Sequence, residues 1–238
     1  MRISPISILR PALLSLAAIA LVGLSGSAAR ADEVLITGYS NGCFNAACPP
    51  PNSSAVQTTS LFGLSYVNST FSNTTVAGFL GLGGNPIAPP VQNVNNLGAF
   101  SLATTAATYT GNTFTLRVTF TAPQGINGSN TSLFTATLTG AVSSVGNGGV
   151  FIDFNNTPIL FTFNDVNCEG GATTCGTGSF FLAINDLSID PGQTASITGQ
   201  ITGAQQTTVP EPASMFLLGT GLIGVAGLAR RLRNGKKV

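Results

Sequence analysis

The stretch 113–121, TFTLRVTFT, alternates without a break between apolar and polar side chains. In a strand Phe114, Leu116, Val118 and Phe120 fall on one face and the threonines with Arg117 on the other, whereas a helix would spread the same four around its circumference. A strand with such a face has to bury it. The same period recurs in Phe134, Ala136 and Leu138, set between Thr135, Thr137 and Thr139. Further extended runs are read at 61–67, 76–80, 100–110, 150–154, 159–163, 180–187 and 195–201. Gly146-Asn147-Gly148-Gly149, Asn155-Asn156-Thr157-Pro158 and Asp190-Pro191-Gly192 supply turn chemistry between them. Gly111-Asn112 predicts a two-residue hairpin turn joining 100–110 to 113–121. No part of this region repeats at the helical period with caps.

About nine short strands, each apolar on one face, must pack against a second sheet or close on themselves. The expected fold is all-β, an antiparallel β-sandwich of jelly-roll or immunoglobulin-like type over residues 32–206. Its bulk comes from the 15 Phe of the chain, most at inward positions, and its solvent face is Thr, Ser and Asn. Roughly the first 25 residues of this body and the stretch 83–98, with Pro86, Pro89 and Pro90, read as long irregular segments, and 204–208 as a linker. With no Lys to blunt sheet edges, protection falls to loops, prolines and net negative charge.

Positive charge is concentrated at the two ends. Seven of the 9 Lys and Arg lie in the first ten or last nine residues, and between Asp32 and Val209 only Arg117 faces Asp32, Glu33, Asp153, Asp165, Glu169, Asp186 and Asp190, a formal charge of 1 − 7 = −6. Such a body cannot neutralise a row of phosphates, which argues against nucleic acid as a partner. His is absent, and with it Ser-His-Asp and Cys-His catalysis, His-ligated metals and His-based pH switching.

The amino terminus sets the compartment. Arg2 and Arg10 precede a small-apolar stretch at 13–24, and Ala29-Arg30-Ala31 has small residues where signal peptidase requires them, so residues 1–31 are read as a secretory signal peptide cleaved after Ala31. Twelve residues make a helix of about 18 Å, short of a hydrocarbon core of about 30 Å, which disfavours an uncleaved anchor. Export to an oxidising compartment makes Cys43, Cys48, Cys168 and Cys175 disulfide candidates. Three pairings are open, the two local ones being the simplest. A four-thiolate metal site would lack the C-x2-C knuckle, and no His or Lys in the body would activate a catalytic thiol.

The carboxyl terminus, 207–238, is a three-part tail. Pro210-Glu211-Pro212 is a rigid extended spacer. Residues 213–229 form a glycine-rich apolar span, about 25 Å as a helix, predicted to cross the membrane. Arg230, Arg231, Arg233, Lys236 and Lys237 follow as a cationic stop that snorkels to the interface and stays cytoplasmic, leaving the body outside the cytoplasm. Spacer, span and terminal arginines, in this order and at this position, resemble the PEP-CTERM sorting signal of bacterial surface proteins. The resemblance implies processing by an exosortase, a transpeptidase-like membrane enzyme of Gram-negative bacteria that make exopolysaccharide. It implies transient residence in the inner membrane before delivery to the envelope or extracellular matrix, and it carries no information on the body. Gly219-Thr220-Gly221-Leu222-Ile223-Gly224 matches a dinucleotide fingerprint, but it follows no strand and lies inside the span, so no cofactor is expected. The glycines serve close helix approach in lipid.

Within the body, Asp153, Asp165, Glu169, Asp186 and Asp190 are the candidate acid/base groups for a glycosidase, which needs two carboxyls across a cleft. No Trp is present to form a sugar platform. The cluster 185–190 offers oxygen ligands for Ca2+ but lacks the spacing and central Gly of an EF-hand loop. The six Asn-x-Ser/Thr triplets, beginning at Asn52, Asn68, Asn73, Asn127, Asn130 and Asn155, are expected by chance in so Thr- and Asn-rich a body. Three functions follow in order of preference. The first is a noncatalytic exported protein of the cell surface or biofilm matrix, with signal peptidase, exosortase and the inner membrane as processing partners. The second is an exopolysaccharide-binding module, with Ca2+ as an option. The third is a carboxylate-dependent glycosidase.

Overall fold

In a computed structural model of the protein, the face formed by Phe114, Leu116, Val118 and Phe120 is wholly buried, and it joins the core from one end to the other. The structure describes residues 30–46, 48, 54–165, 176–207, 219, 221 and 222. Residues Arg30–Thr207 form one unit, nearly all β. Its strands are β1 (Arg30–Ala31), β2 (Leu35–Phe44), β3 (Thr58–Leu61), β4 (Leu64–Val67), β5 (Ser69–Thr74), β6 (Leu80–Leu82), β7 (Asn93–Val94) and β8 (Ala99–Leu102). There follow β9 (Ala107–Thr108), β10 (Asn112–Ala122), β11 (Thr131–Val142), β12 (Gly148–Phe154), β13 (Ile159–Asp165), β14 (Gly176–Ile184), β15 (Leu187–Ile189), β16 (Thr194–Ser196) and β17 (Gly199–Thr207).

These strands make three hydrogen-bonded sheets. The largest, of eight strands, has the order β15-β12-β11-β10-β2-β5-β7, with β9 beside β11. A five-stranded sheet runs β1-β17-β14-β13, with β6 also on β17, and a four-stranded sheet runs β16-β8-β4-β3. Pairing is antiparallel except between β5 and β7, which are parallel, so the expectation of a purely antiparallel fold is corrected at that one edge.

One hydrophobic cluster draws on all three sheets. At one end of β10, Phe114 packs on Phe100 and Tyr66 of the four-stranded sheet, with ring centroids 4.8 and 5.0 Å away. At the other end, Phe120 packs on Phe161 and Phe180 of the five-stranded sheet at 4.8 and 4.9 Å. Burying each such ring stabilises the fold by about 1.5–3 kcal/mol. The alternation in one strand thus anchors its own sheet to the two others.

Several expectations are corrected. The start of the body is not irregular throughout: β2 is a ten-residue strand between β10 and β5, whereas Pro49, Pro50 and Pro51 lie outside the described residues. Its inward residues are Ile36, Gly38, Ser40, Gly42 and Phe44, and the glycines are small for a reason. A Cβ on Gly38 would lie 2.5 Å from the Phe71 ring, and one on Gly42 would lie 2.4 Å from Phe114 and 2.5 Å from Tyr66. Space that apolar side chains would fill in other strands is here taken by rings from neighbouring strands. The run 61–67 is a hairpin, β3-β4, whose turn is Phe62-Gly63 with φ of 51° and 91°. Both positive angles suit a type I′ turn.

The expected hairpin at Gly111-Asn112 is absent. β9 and β10 both lie along the same edge of β11, and the chain bulges between them, Tyr109 N–H reaching the Gly140 carbonyl at 3.0 Å. β8, the front of the run 100–110, belongs to another sheet, between β16 and β4. The supposed linker at 204–208 is strand as far as Thr207.

Buried asparagines hold the long connections. Asn93 accepts from Ile87 N–H at 2.7 Å and donates to the Ile87 carbonyl at 2.9 Å. Asn68 accepts from Gln57 N–H and donates to the Ala55 carbonyl, each at 2.8 Å. As the first residue of an Asn-x-Ser/Thr triplet Asn68 is therefore sealed, with its carboxamide already bonded.

Candidate functional site

The body receives and releases its chain at one place. Arg30 and Ala31 pair with Thr207 and Gln206, and Gly78 links the two ends, donating to the Asp32 carbonyl while its own carbonyl accepts from Ala204, both at 3.0 Å. The residues predicted to meet signal peptidase thus lie beside the last strand before the tail. Of the tail, Gly219, Gly221 and Leu222 are helical. The sorting residues Pro210, Glu211 and Pro212, the stop residues Arg230, Arg231, Arg233, Lys236 and Lys237, and residues 1–29 lie outside the described residues, as does most of the span 213–229. Among the described residues no helix is long and apolar enough to cross a membrane.

Cys43 and Cys48 form a disulfide, with Cα atoms 5.2 Å apart. Cys168 and Cys175 lie outside the described residues. The Cys43–Cys48 loop folds over the polar face of β10: the Arg117 guanidinium donates to the Cys48 carbonyl, and Thr115, opposite Cys43, is buried. Thr119 is buried too, its hydroxyl 3.1 Å from that of Thr131. The threonine face of this strand was expected to meet solvent. At Thr115 and Thr119 it is instead buried, while Thr121 stays exposed.

Of the candidate carboxylates, Asp153, Asp186 and Asp190 lie among the described side chains, each in its own setting. Asp153 stands exposed on β12, while Asp186 and Asp190 flank β15 at its two ends. Asp186 has a local task, accepting from Phe154 N–H at 2.8 Å and from the Asn156 carboxamide at 3.1 Å, so it caps the connection leaving β12. Asp190 sits in the β15-β16 turn, its carbonyl accepting from Gln193 N–H at 3.1 Å. Asp165 closes β13, and Glu169 lies outside the described residues. Among the described residues no three Asp, Glu, Cys or His gather as metal ligands would. Asn185, which opens the proposed Ca2+ cluster, spends its amide on the Thr198 hydroxyl at 2.9 Å.

A different surface carries a groove that the sequence alone does not single out. The outward face of β13, β14 and β17 carries two cross-strand rows, Thr162-Ser179-Gln205 and Asn164-Thr177-Thr207, fixed by the pairing of the three strands. They line a groove of about 300 Å³, walled at the side by Asn127. The wall is held in place because the chain at 125–127 bonds the free edge of β13: Asn127 N–H donates to the Thr162 carbonyl at 2.8 Å and Asn164 N–H to the Gly125 carbonyl at 2.9 Å. Period-2 alternation does place these hydroxyls and amides outward. It does not say which strands become neighbours.

Compared with known proteins, residues 208–233 match the PEP-CTERM protein-sorting motif. Such a motif is the mark of an exported protein of the cell envelope that is handled by an exosortase. The match begins at the residue after β17 ends. No curated protein and no solved structure matches the chain.

Proposed function

We propose that this chain is the precursor of a noncatalytic protein of the cell surface or extracellular biofilm matrix, exported by its signal peptide, held transiently in the inner membrane by residues 213–229, and processed there by an exosortase. In this reading the body is a β-sandwich, the eight-stranded sheet facing the two smaller ones across the aromatic core. The observation that carries it is the sorting motif at 208–233, which starts at the residue after β17 ends. A processing enzyme acting beyond Thr207 then has no β17 pairing to undo.

Mass spectrometry of the mature termini combined with cell fractionation tests this. The expected outcome is an amino terminus at Asp32, a body free of the basic tail in the envelope or matrix fraction, and accumulation of tail-bearing protein in the inner membrane when the exosortase is removed. Unchanged distribution after deletion of residues 208–238, or intact precursor in the cytosol with reduced thiols, would overturn it. Replacing Asp153, Asp186 and Asp190 by Asn should leave matrix association unaltered, whereas a glycosidase would lose a measurable hydrolytic activity.

A second reading is favoured by the groove on β13, β14 and β17: the body binds exopolysaccharide. Its polar lining of amides and hydroxyls matches the hydrogen-bonding groups of a sugar. Ca2+ dependence is a separate matter, tested by chelation.

A further inference from the structure

Resting on that second reading, we infer that the outward face of β13, β14 and β17 is the polysaccharide site, and that its ligand is a neutral chain bound without a metal ion. The argument starts from charge. The groove is lined by Asn, Thr, Ser and Gln side chains with Gly178 and the strand at Phe163, and among the described residues that line it none has an ionisable side chain. The outward face of the eight-stranded sheet differs, since Arg117 lies on β10 and Asp153 on β12. Every amide and hydroxyl in the groove both donates and accepts, as each sugar hydroxyl does, whereas an anionic polymer would find no cation there to offset its desolvation.

Order is built in beforehand. Asn127 donates to the Thr162 hydroxyl at 3.1 Å and accepts from the Asn164 amide at 3.3 Å, so three side chains of the wall and floor are fixed by one another. Across the sheet the Thr207 hydroxyl donates to the Thr177 carbonyl at 2.9 Å and accepts from Thr177 N–H at 3.1 Å. Side chains already held in place lose little further freedom on binding.

The face also has an apolar step. One row beyond Thr162 and Ser179, Leu160 pairs with Phe181, and both point outward, 53% and 39% exposed. Gly203 of β17 lies against the Phe181 ring, where even a Cβ would come within 3.5 Å of it. A sugar ring has polar edges and C–H faces. A chain lying along this face would set C–H surface on Leu160 and Phe181 and its hydroxyls on the two polar rows.

The test uses the full chain in mild detergent, by affinity electrophoresis in gels containing dextran, hydroxyethyl cellulose or galactomannan as neutral probes and alginate as the anionic one. At least one neutral polymer should retard the protein, with alginate weaker and EDTA without effect. Phe181→Ala and Thr162→Asp should each weaken retardation at least tenfold at an unchanged unfolding midpoint. Phe151→Ala, which removes a comparably exposed ring on the other sheet, should not. If neutral polymers bind but both groove variants bind as well as the parent, the site is wrong and the second reading survives. Binding lost in EDTA, or to alginate alone, also overturns the site. If no polymer binds, site and second reading fall together, and the surface-protein reading stands.

Discussion

Tyr66 shows how a single side chain makes this core sensitive to alkali. It is wholly buried between Phe100 and Phe114, its hydroxyl donates to the Leu97 carbonyl at 3.2 Å, and Ser40 Oγ lies 3.1 Å away. Burial pushes the phenol far above the ordinary tyrosine range, only partly opposed by the Ser40 hydrogen bond, and burial moves Tyr109 the same way. A group whose folded-state pKa is raised contributes stability that is complete below the unfolded value, near pH 10. That stability is lost above it, because the unfolded phenol gives up its proton while the buried one keeps it. We therefore predict that stability, followed by urea unfolding between pH 8 and pH 11.5, is flat with respect to Tyr66 until about pH 10 and then falls by about 1.4 kcal/mol per pH unit on its account, with Tyr109 adding to the fall. Tyr66→Phe should remove one share of that slope. At neutral pH it should cost about 1 kcal/mol, since the Leu97 carbonyl and Ser40 lose a buried partner. An unchanged alkaline slope in Tyr66→Phe would show that the phenol is not the responsible group.

At the scale of single elements, the β3-β4 turn departs from its sequence ideal. Phe62 holds a φ of 51° with 61% of its surface exposed, so the ring is not repaid by burial for an angle that non-glycine residues seldom adopt. Asn tolerates that region, and Asn-Gly is the preferred pair for a type I′ turn. Phe62→Asn is expected to raise stability by about 0.5–1 kcal/mol, read as a higher urea midpoint at constant slope, because the hydrogen bond from Tyr109 goes to the backbone carbonyl of residue 62 and survives the change. A lower midpoint would mean that the ring packs in a way its exposure does not reveal. Phe-Gly carries no turn signal, which is why 61–67 reads as one strand. β2 hides for the opposite reason: Gly38, Ser40 and Gly42 face inward under rings supplied by other strands, and no apolar period is left to see. Strands whose own side chains fill the core, such as β10 and β11, are legible. The sorting tail is legible too, because a linear signal keeps its residues together. The groove is not, since Thr162, Ser179 and Gln205 meet only once β13, β14 and β17 have become neighbours, and Thr and Asn are too common in this chain to mark a site.

On the scale of the whole molecule, the position of β17 decides what processing can remove. It runs inside the five-stranded sheet with β14 on one side and β6 and β1 on the other, and its last pairs, Ser179 with Gln205 and Gly178 with Gln206, lie within three residues of the motif. A cut anywhere beyond Thr207 spares every one of these pairs. A cut a few residues earlier exposes the amides of 177–179 and opens the buried Phe163 ring, which Gly178 lets lie close against the sheet. The amino-terminal end is the more forgiving one, because β1 pairs only two residues with the same strand. Residues 32–207 are thus predicted to unfold at the same denaturant concentration as 32–238 in detergent, to within about 0.5 kcal/mol. Residues 32–202, which lack the second half of β17, should lose at least about 3 kcal/mol, with Phe163 losing cover and several ladder bonds broken. Equal stability of the two truncated bodies would show that β17 is an appendage. The sorting signal would then be free to begin well inside it, and the boundary at Thr207 would carry no meaning for the processing enzyme.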